Sequence, residues 1–189
     1  MNRTYQIVFA GSILAACWLA MMAVHELGHI LGATATGGSA VKVVLHPLTI
    51  SRTDVSPNPH PAVVVWLGPI VGGFFPLLAY ALTPSTLHLA SRLAGFFAGF
   101  CLIANGVYIG LGSFGHVGDC REMLRTGSPM WALWAFGALS VLLGGYLWHR
   151  LGSMTTYFNN SHQVAPWVAL VAFCVAAFLW AAGTALFPQ

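Results

Sequence analysis

Charge is what this sequence has least of. Its 189 residues include four acidic and seven basic side chains, 6% of the chain, where soluble domains carry roughly 25%. So few charges cannot solvate a globular surface, and with 58% hydrophobic residues and a mean hydropathy of +0.78 a soluble protein is excluded. A net charge of +3 with no Lys/Arg cluster also lacks the basic footprint of a nucleic-acid-binding protein. Cysteine is scarce as well. Cys17, Cys101, Cys120 and Cys174 show no CxxC spacing, and all but Cys120 lie inside apolar runs, where they are most simply small packing residues, so no disulfide framework is implied.

What is present instead is long apolar sequence. Stretches free of Asp, Glu, Lys, Arg and His cover Thr4 to Val24, Pro61 to Leu87, Leu93 to Gly115, Thr126 to Trp148 and Gln163 to Gln189. Each reaches the roughly 20 residues that a helix needs to cross a ~30 Å hydrocarbon core. Their unbroken apolarity argues for helices over barrel strands, which would alternate. The fold expected is an all-α polytopic membrane protein of about five transmembrane helices, one domain spanning 1–189. The N-terminal Leu14-Ala15-Ala16-Cys17 imitates a lipoprotein-type cleavage site, but apolar sequence continues through Val24, so this segment is expected to remain as the first helix. Trp131, Trp148 and Trp167, near predicted ends, fit interfacial anchoring.

The only long polar stretch, Gly37 to His60, contains the β-prone runs Val41 to Leu45 and Leu48 to Arg52, split by Pro47. It predicts a small hairpin inserted after the first helix. A second connection, Ser113 to Ser128, concentrates Asp119, Arg121, Glu122 and Arg125. With five spans, Lys42, Arg52, Arg121 and Arg125 fall on one side, and Arg3, Arg92 and Arg150 on the other. The positive-inside tendency then makes the Asp119 side cytoplasmic.

The chemistry starts at His25-Glu26-Leu27-Gly28-His29. Histidines four apart share a helix face, so both imidazoles can bind one zinc ion while the glutamate serves as general base. Three ionisable groups within five residues of a membrane helix are costly unless paired or functional. A hydrogen-bonded polar knot or a pore lining is the plain structural alternative. If the helix runs to Gly37-Gly38, His29 and His25 lie about 12 and 18 Å from its end, at 1.5 Å per residue. His116, three residues before Asp119, is an alternative ligand or supporting partner if the two share a helical face. His46, His60, His88, His149 and His162 lie near predicted ends or loops and are expected to be interfacial polar residues.

Over about Ala23 to Leu124 the sequence resembles the site-2 protease family of intramembrane zinc metallopeptidases, the M50 group. The residues that carry the likeness are His25-Glu26-Leu27-Gly28-His29-Ile30-Leu31-Gly32, then Leu67-Gly68-Pro69-Ile70-Val71-Gly72-Gly73, and Gly118-Asp119-Cys120-Arg121-Glu122-Met123-Leu124. The family's Asp-Gly reads Asp119-Cys120 here. The resemblance implies a metalloprotease-like core over about 5–124 with additional helices over about 127–187. It implies one Zn2+ per chain held by His25, His29 and Asp119, with Glu26 as the catalytic base. It also implies a membrane-protein substrate, a single-span segment cleaved within or near the bilayer after pairing with the hairpin edge. Asn105 is the one candidate for the family's substrate-positioning asparagine, and is equally readable as an interhelical hydrogen-bonding residue. The expected location is the cell membrane. Two rival functions are a noncatalytic protease-like scaffold and a metal transporter or sensor. Retention of Glu26 disfavours the first, and the shortage of polar residues within spans four and five disfavours the second.

Overall fold

A computed structural model describes residues 3–152 and 165–186. Its elements run α1 (Arg3–Ala35), β1 (Ala40–Val44), β2 (Arg52–Val55), α2 (Pro61–Leu82), α3 (His88–Gly115), α4 (Asp119–Arg125), α5 (Met130–Leu151) and α6 (Pro166–Leu186). Five of these helices, all but the seven-residue α4, are long and apolar enough to cross a membrane. The expected all-helical architecture with a small β insert after the first span is therefore observed. His162 and the ends of the last apolar stretch, Gln163 and Gln189, lie outside the described residues.

The first helix continues well past its uncharged stretch. At 33 residues it is about 50 Å long, and it carries the His25–His29 turn in its final third before Thr36 and Gly37 close it with bonds to Gly32, Ala33 and Thr34 carbonyls. Gly37 takes a positive φ of 79°, the left-handed conformation that a helix end commonly assigns to glycine. The second helix opens with Pro61 in its first turn, where a missing N–H costs nothing.

Beyond α1 the chain forms a two-stranded antiparallel sheet, with Lys42 opposite Asp54, Val43 opposite Thr53 and Val44 opposite Arg52. The second strand differs from expectation. Leu48 to Ser51 is not strand but the hairpin tip, and pairing begins only at Arg52. Pro47 has no N–H for a ladder, and the His46 carbonyl is taken by the Thr49 N–H at 3.1 Å, forming a turn. Along β2 exposure alternates, turning Thr53 and Val55 inward and Arg52 and Asp54 outward, as the two-residue period of a strand requires. The tip shares a cavity with Trp18 and Met21 of α1, so it lies beside the middle of that span. This accounts for Leu48 and Ile50, 73% and 60% exposed, in an otherwise polar insert.

Helix packing follows the small residues. The third helix lies chiefly on α5, and α1 on α2 and α6. Gly106 and Gly110 of α3 meet Gly137 of α5 so closely that a Cβ added to Gly137 would come within 2.7 Å of the Gly110 Cα. Lipid tails are as apolar as leucine, so close backbone contact of this kind is a principal source of helix association in a bilayer. Of the end-lying tryptophans, Trp131 and Trp167 are exposed at 68% each, as expected of anchors. Trp148 also has an internal role. Half-buried, it donates Nε1–H to the Phe96 carbonyl at 3.0 Å and stacks on the Phe96 ring, tying α5 to α3.

Replacing Gly137 with leucine should destabilise the protein by about 1–3 kcal/mol, the cost of overpacking, whereas leucine at Gly145, which has open space around it, should not. Unfolding in mixed micelles with rising SDS measures both. Equal midpoints for the two variants would contradict the close α3–α5 crossing.

Candidate metal centre

The site is built where α1, α2, α3 and α4 meet. His25 and His29 are buried, 5% and 6% exposed, one helical turn apart, with ring centroids separated by 4.9 Å. The second helix must come very close to admit them. A Cβ added to Gly28 would collide with the Leu67 carbonyl, and one added to Gly68 would collide with the His29 ring. These two glycines set the α1–α2 spacing at the depth of the histidines.

Hydrogen bonding decides which ring nitrogens are available. His29 Nδ1 lies 2.8 Å from the Val64 carbonyl, a pure acceptor, so Nδ1 carries the proton. Asn105 is buried, and its Nδ2 donates to the Cys101 carbonyl at 2.9 Å. Its Oδ1 therefore faces His25, whose Nδ1 donates to it at 2.6 Å. In the neutral rings both Nε2 atoms are left with lone pairs, and these converge. They are 3.1 Å apart, and Asp119 Oδ2 lies 2.8 Å from that of His25 and 3.3 Å from that of His29. Ligand atoms around a tetrahedral ion at about 2.0–2.1 Å are themselves roughly 3.3 Å apart. His25, His29 and Asp119 thus form a possible metal-binding group with the orienting hydrogen bonds typical of metal-ligating histidines.

Asp119 reaches this point because α4 is pinned from below. Cys120 and Met123, three apart on its inner face, are fully buried with Val65, Ile109 and Leu133. Gly118, with φ 49°, turns the chain immediately before Asp119. The glycine thus precedes the aspartate instead of following it, and the position after it holds Cys120, whose Sγ sits against Gly112 of α3. Burial pushes the Cys120 thiol up to about 11, so it stays protonated and donates to the Ile109 carbonyl.

Other expected residues are placed less centrally. Glu26 is 1% exposed, and its Oε2 accepts a hydrogen bond from Thr53 Oγ1 at 2.7 Å. Asn105, expected either to position substrate or to bond between helices, makes the interhelical bond to His25. His116 does not share a helical face with Asp119. The third helix ends at Gly115, and His116 occupies a left-handed cap with φ 49°, exposed and outside the metal-binding group. Its carbonyl accepts from Arg121.

Two contributors escaped the sequence reading. Tyr108 accepts the Asp119 N–H at its hydroxyl, 2.9 Å, and packs edge-on to His25. Its spacing of three from Asn105, on one face of α3, was the available signal. Thr53 had none, because only the hairpin register turns it toward Glu26.

Comparison of the chain with protein-family models, with characterised proteins and with solved structures returns no match.

Two measurements test the centre. His25→Ala and Asp119→Ala should each lose bound metal in elemental analysis of the purified protein, whereas His116→Ala should retain it. Full metal in Asp119→Ala together with loss in His116→Ala would move the third ligand to His116. Asn105→Ala should weaken metal affinity about 10- to 100-fold, the usual effect of removing a partner that orients a ligand. Unaltered affinity in a chelator competition would show that Asn105 does not orient His25.

Proposed function

We propose that this protein is a zinc-dependent endopeptidase that hydrolyses peptide bonds of membrane-protein segments within or near the bilayer. The observation that carries the reading is the convergence of His25 Nε2, His29 Nε2 and Asp119 Oδ2, with both Nδ1 protons already committed to oxygens. Two imidazoles and one carboxylate are a donor set that suits zinc and leaves a fourth coordination position free, the arrangement of hydrolytic rather than structural sites. Zinc held there supplies Lewis acidity, which acidifies water and polarises the scissile carbonyl.

The chain's own residues supply the rest. Glu26, one position from the first ligand on the same helix turn, takes the proton of the attacking water as the water oxygen bonds to the acyl carbon. It returns that proton to the leaving nitrogen as the C–N bond breaks, giving a carboxylic acid and an amine, and the acid's proton then passes to the amine to leave a carboxylate and an ammonium. Thr53 holds one carboxylate oxygen of Glu26, leaving the other free for the proton. Asn105 and the Val64 carbonyl keep both histidines in the tautomer that binds metal. Asp119 brings a carboxylate, whose negative charge offsets part of the cation's in a low-dielectric interior.

Water reaches the centre through a cavity of about 360 Å3 that His29 and Asp119 share with Arg52, Thr53, Asp54 and Glu122. This cavity lies on the side of the membrane that receives Lys42, Arg52, Arg121 and Arg125, which the positive-inside tendency assigns to the cytoplasm of a cell-membrane protein.

Glu26→Gln should abolish cleavage of single-span substrates in liposomes while leaving one zinc per chain, since the base is lost and every ligand remains. Undiminished cleavage by the zinc-loaded variant would refute the mechanism. Thr53→Val should lower kcat with zinc content unchanged, and Thr53→Ser, which keeps the hydroxyl, should recover most of it. A serine variant as slow as the valine variant would show that the hydroxyl does not hold Glu26.

A further inference from the structure

The metal centre lies between two unlike cavities. One is the polar opening described above. The other, about 450 Å3, is walled by Trp18, Met21 and Met22 of α1 and Ala104 of α3, and the hairpin tip contributes Leu48 and Ile50. His25 stands in its wall beside Asn105 and Tyr108. The apolar cavity therefore adjoins one ligand of the centre, while the polar cavity adjoins the other two.

We propose that this apolar cavity is a specificity pocket, receiving a large aliphatic or aromatic side chain that directly flanks the scissile bond. Three observations lead to that occupant. The volume lies within the range of small-molecule pockets, about 300–1,000 Å3. Its lining is mostly apolar, with His25, Thr49, Ser51, Asn105 and Tyr108 as its polar members, so it rewards a hydrocarbon group and penalises a charged one. Its contact with His25 means that a peptide whose amide rests on the metal-binding group has a neighbouring side chain within reach of the cavity. Water does not require this route, because the polar cavity already reaches His29 and Asp119. Ala104 is the determinant of size, since it is the smallest side chain in the wall and faces the cavity from α3. The hairpin tip closes the opposite side through Leu48.

The assignment rests on the peptidase reading of the same centre, so its test uses binding as well as cleavage. N-acetyl-leucine hydroxamate and N-acetyl-alanine hydroxamate both chelate zinc and differ only in the side chain beside it. Titrated calorimetrically into the zinc-loaded full-length protein in detergent, the leucine compound should bind at least about 10-fold more tightly, the scale of discrimination that a hydrophobic pocket gives. Ala104→Leu should remove most of that preference by filling the pocket. Leu48→Ala, at an exposed tip where folding is not at stake, should weaken it by opening the wall. Equal affinities in the unaltered protein, or a preference untouched by both substitutions, would overturn the pocket even if the protein cleaves membrane peptides. Failure to bind either hydroxamate would overturn it together with the metal centre. A leucine preference in a zinc-loaded protein that cleaves no peptide would uphold the pocket and refute the peptidase reading.

Discussion

Two imidazole nitrogens and a carboxylate oxygen brought within 3.3 Å of one another in an apolar interior favour a positive charge, a proton or a metal ion, between them. In water the repulsion among two imidazole nitrogens and a carboxylate oxygen would be screened, whereas among packed helices it is not. The rest of the structure is arranged so that these donors cannot move apart. Gly28 and Gly68 let α1 and α2 approach, Asn105 and the Val64 carbonyl fix the rings, and Cys120 and Met123 root α4 beneath Asp119. Between them these contacts act on all three side chains and hold the possible metal-binding group together.

The same arrangement accounts for the sheet. A two-stranded hairpin is at best marginal on its own, but here its inward strand positions meet α1 and its tip lies beside the span. Through Thr53 it reaches Glu26, and through Leu48 and Ile50 it walls the apolar cavity next to His25. A short insert thus touches the proposed base on one side and the proposed specificity pocket on the other. The group of His25, His29 and Asp119 thus adjoins a mostly apolar cavity on one side and a more polar one on the other.

Helices α5 and α6 serve a more ordinary end. The Gly106–Gly137 crossing and the Trp148–Phe96 stack fasten α5 to α3, the helix that carries Asn105 and Tyr108. Rigidity in α3 is useful to the centre because Asn105 orients one ligand and Tyr108 secures the backbone of another. Packing remote from the metal-binding group therefore contributes to its geometry without supplying a donor.

The number of spans, the inserted hairpin and the pairing of His25 with His29 were all legible in the sequence. Each rests on local physics: hydrocarbon thickness sets span length, and the helical period puts residues four apart on one face. The family resemblance pointed to Asp119, but it took the turn at Gly118 and the buried face of α4 to bring that carboxylate 94 positions back to His25. Asn105 could be read two ways until Cys101 and His25 were seen on either side of its amide. The supposed kinship of His116 with Asp119 dissolved because α3 ends at Gly115 and α4 begins only at Asp119, leaving His116 in the turn, and the start of β2 moved to Arg52 because Pro47 cannot join a ladder. Thr53 was invisible, and Tyr108 legible only as a residue on the Asn105 face of α3, for a common reason. A hydroxyl gains its role from what lies across from it, and hydrogen bonds between distant segments depend on register and helix crossing, which no local pattern of residues encodes.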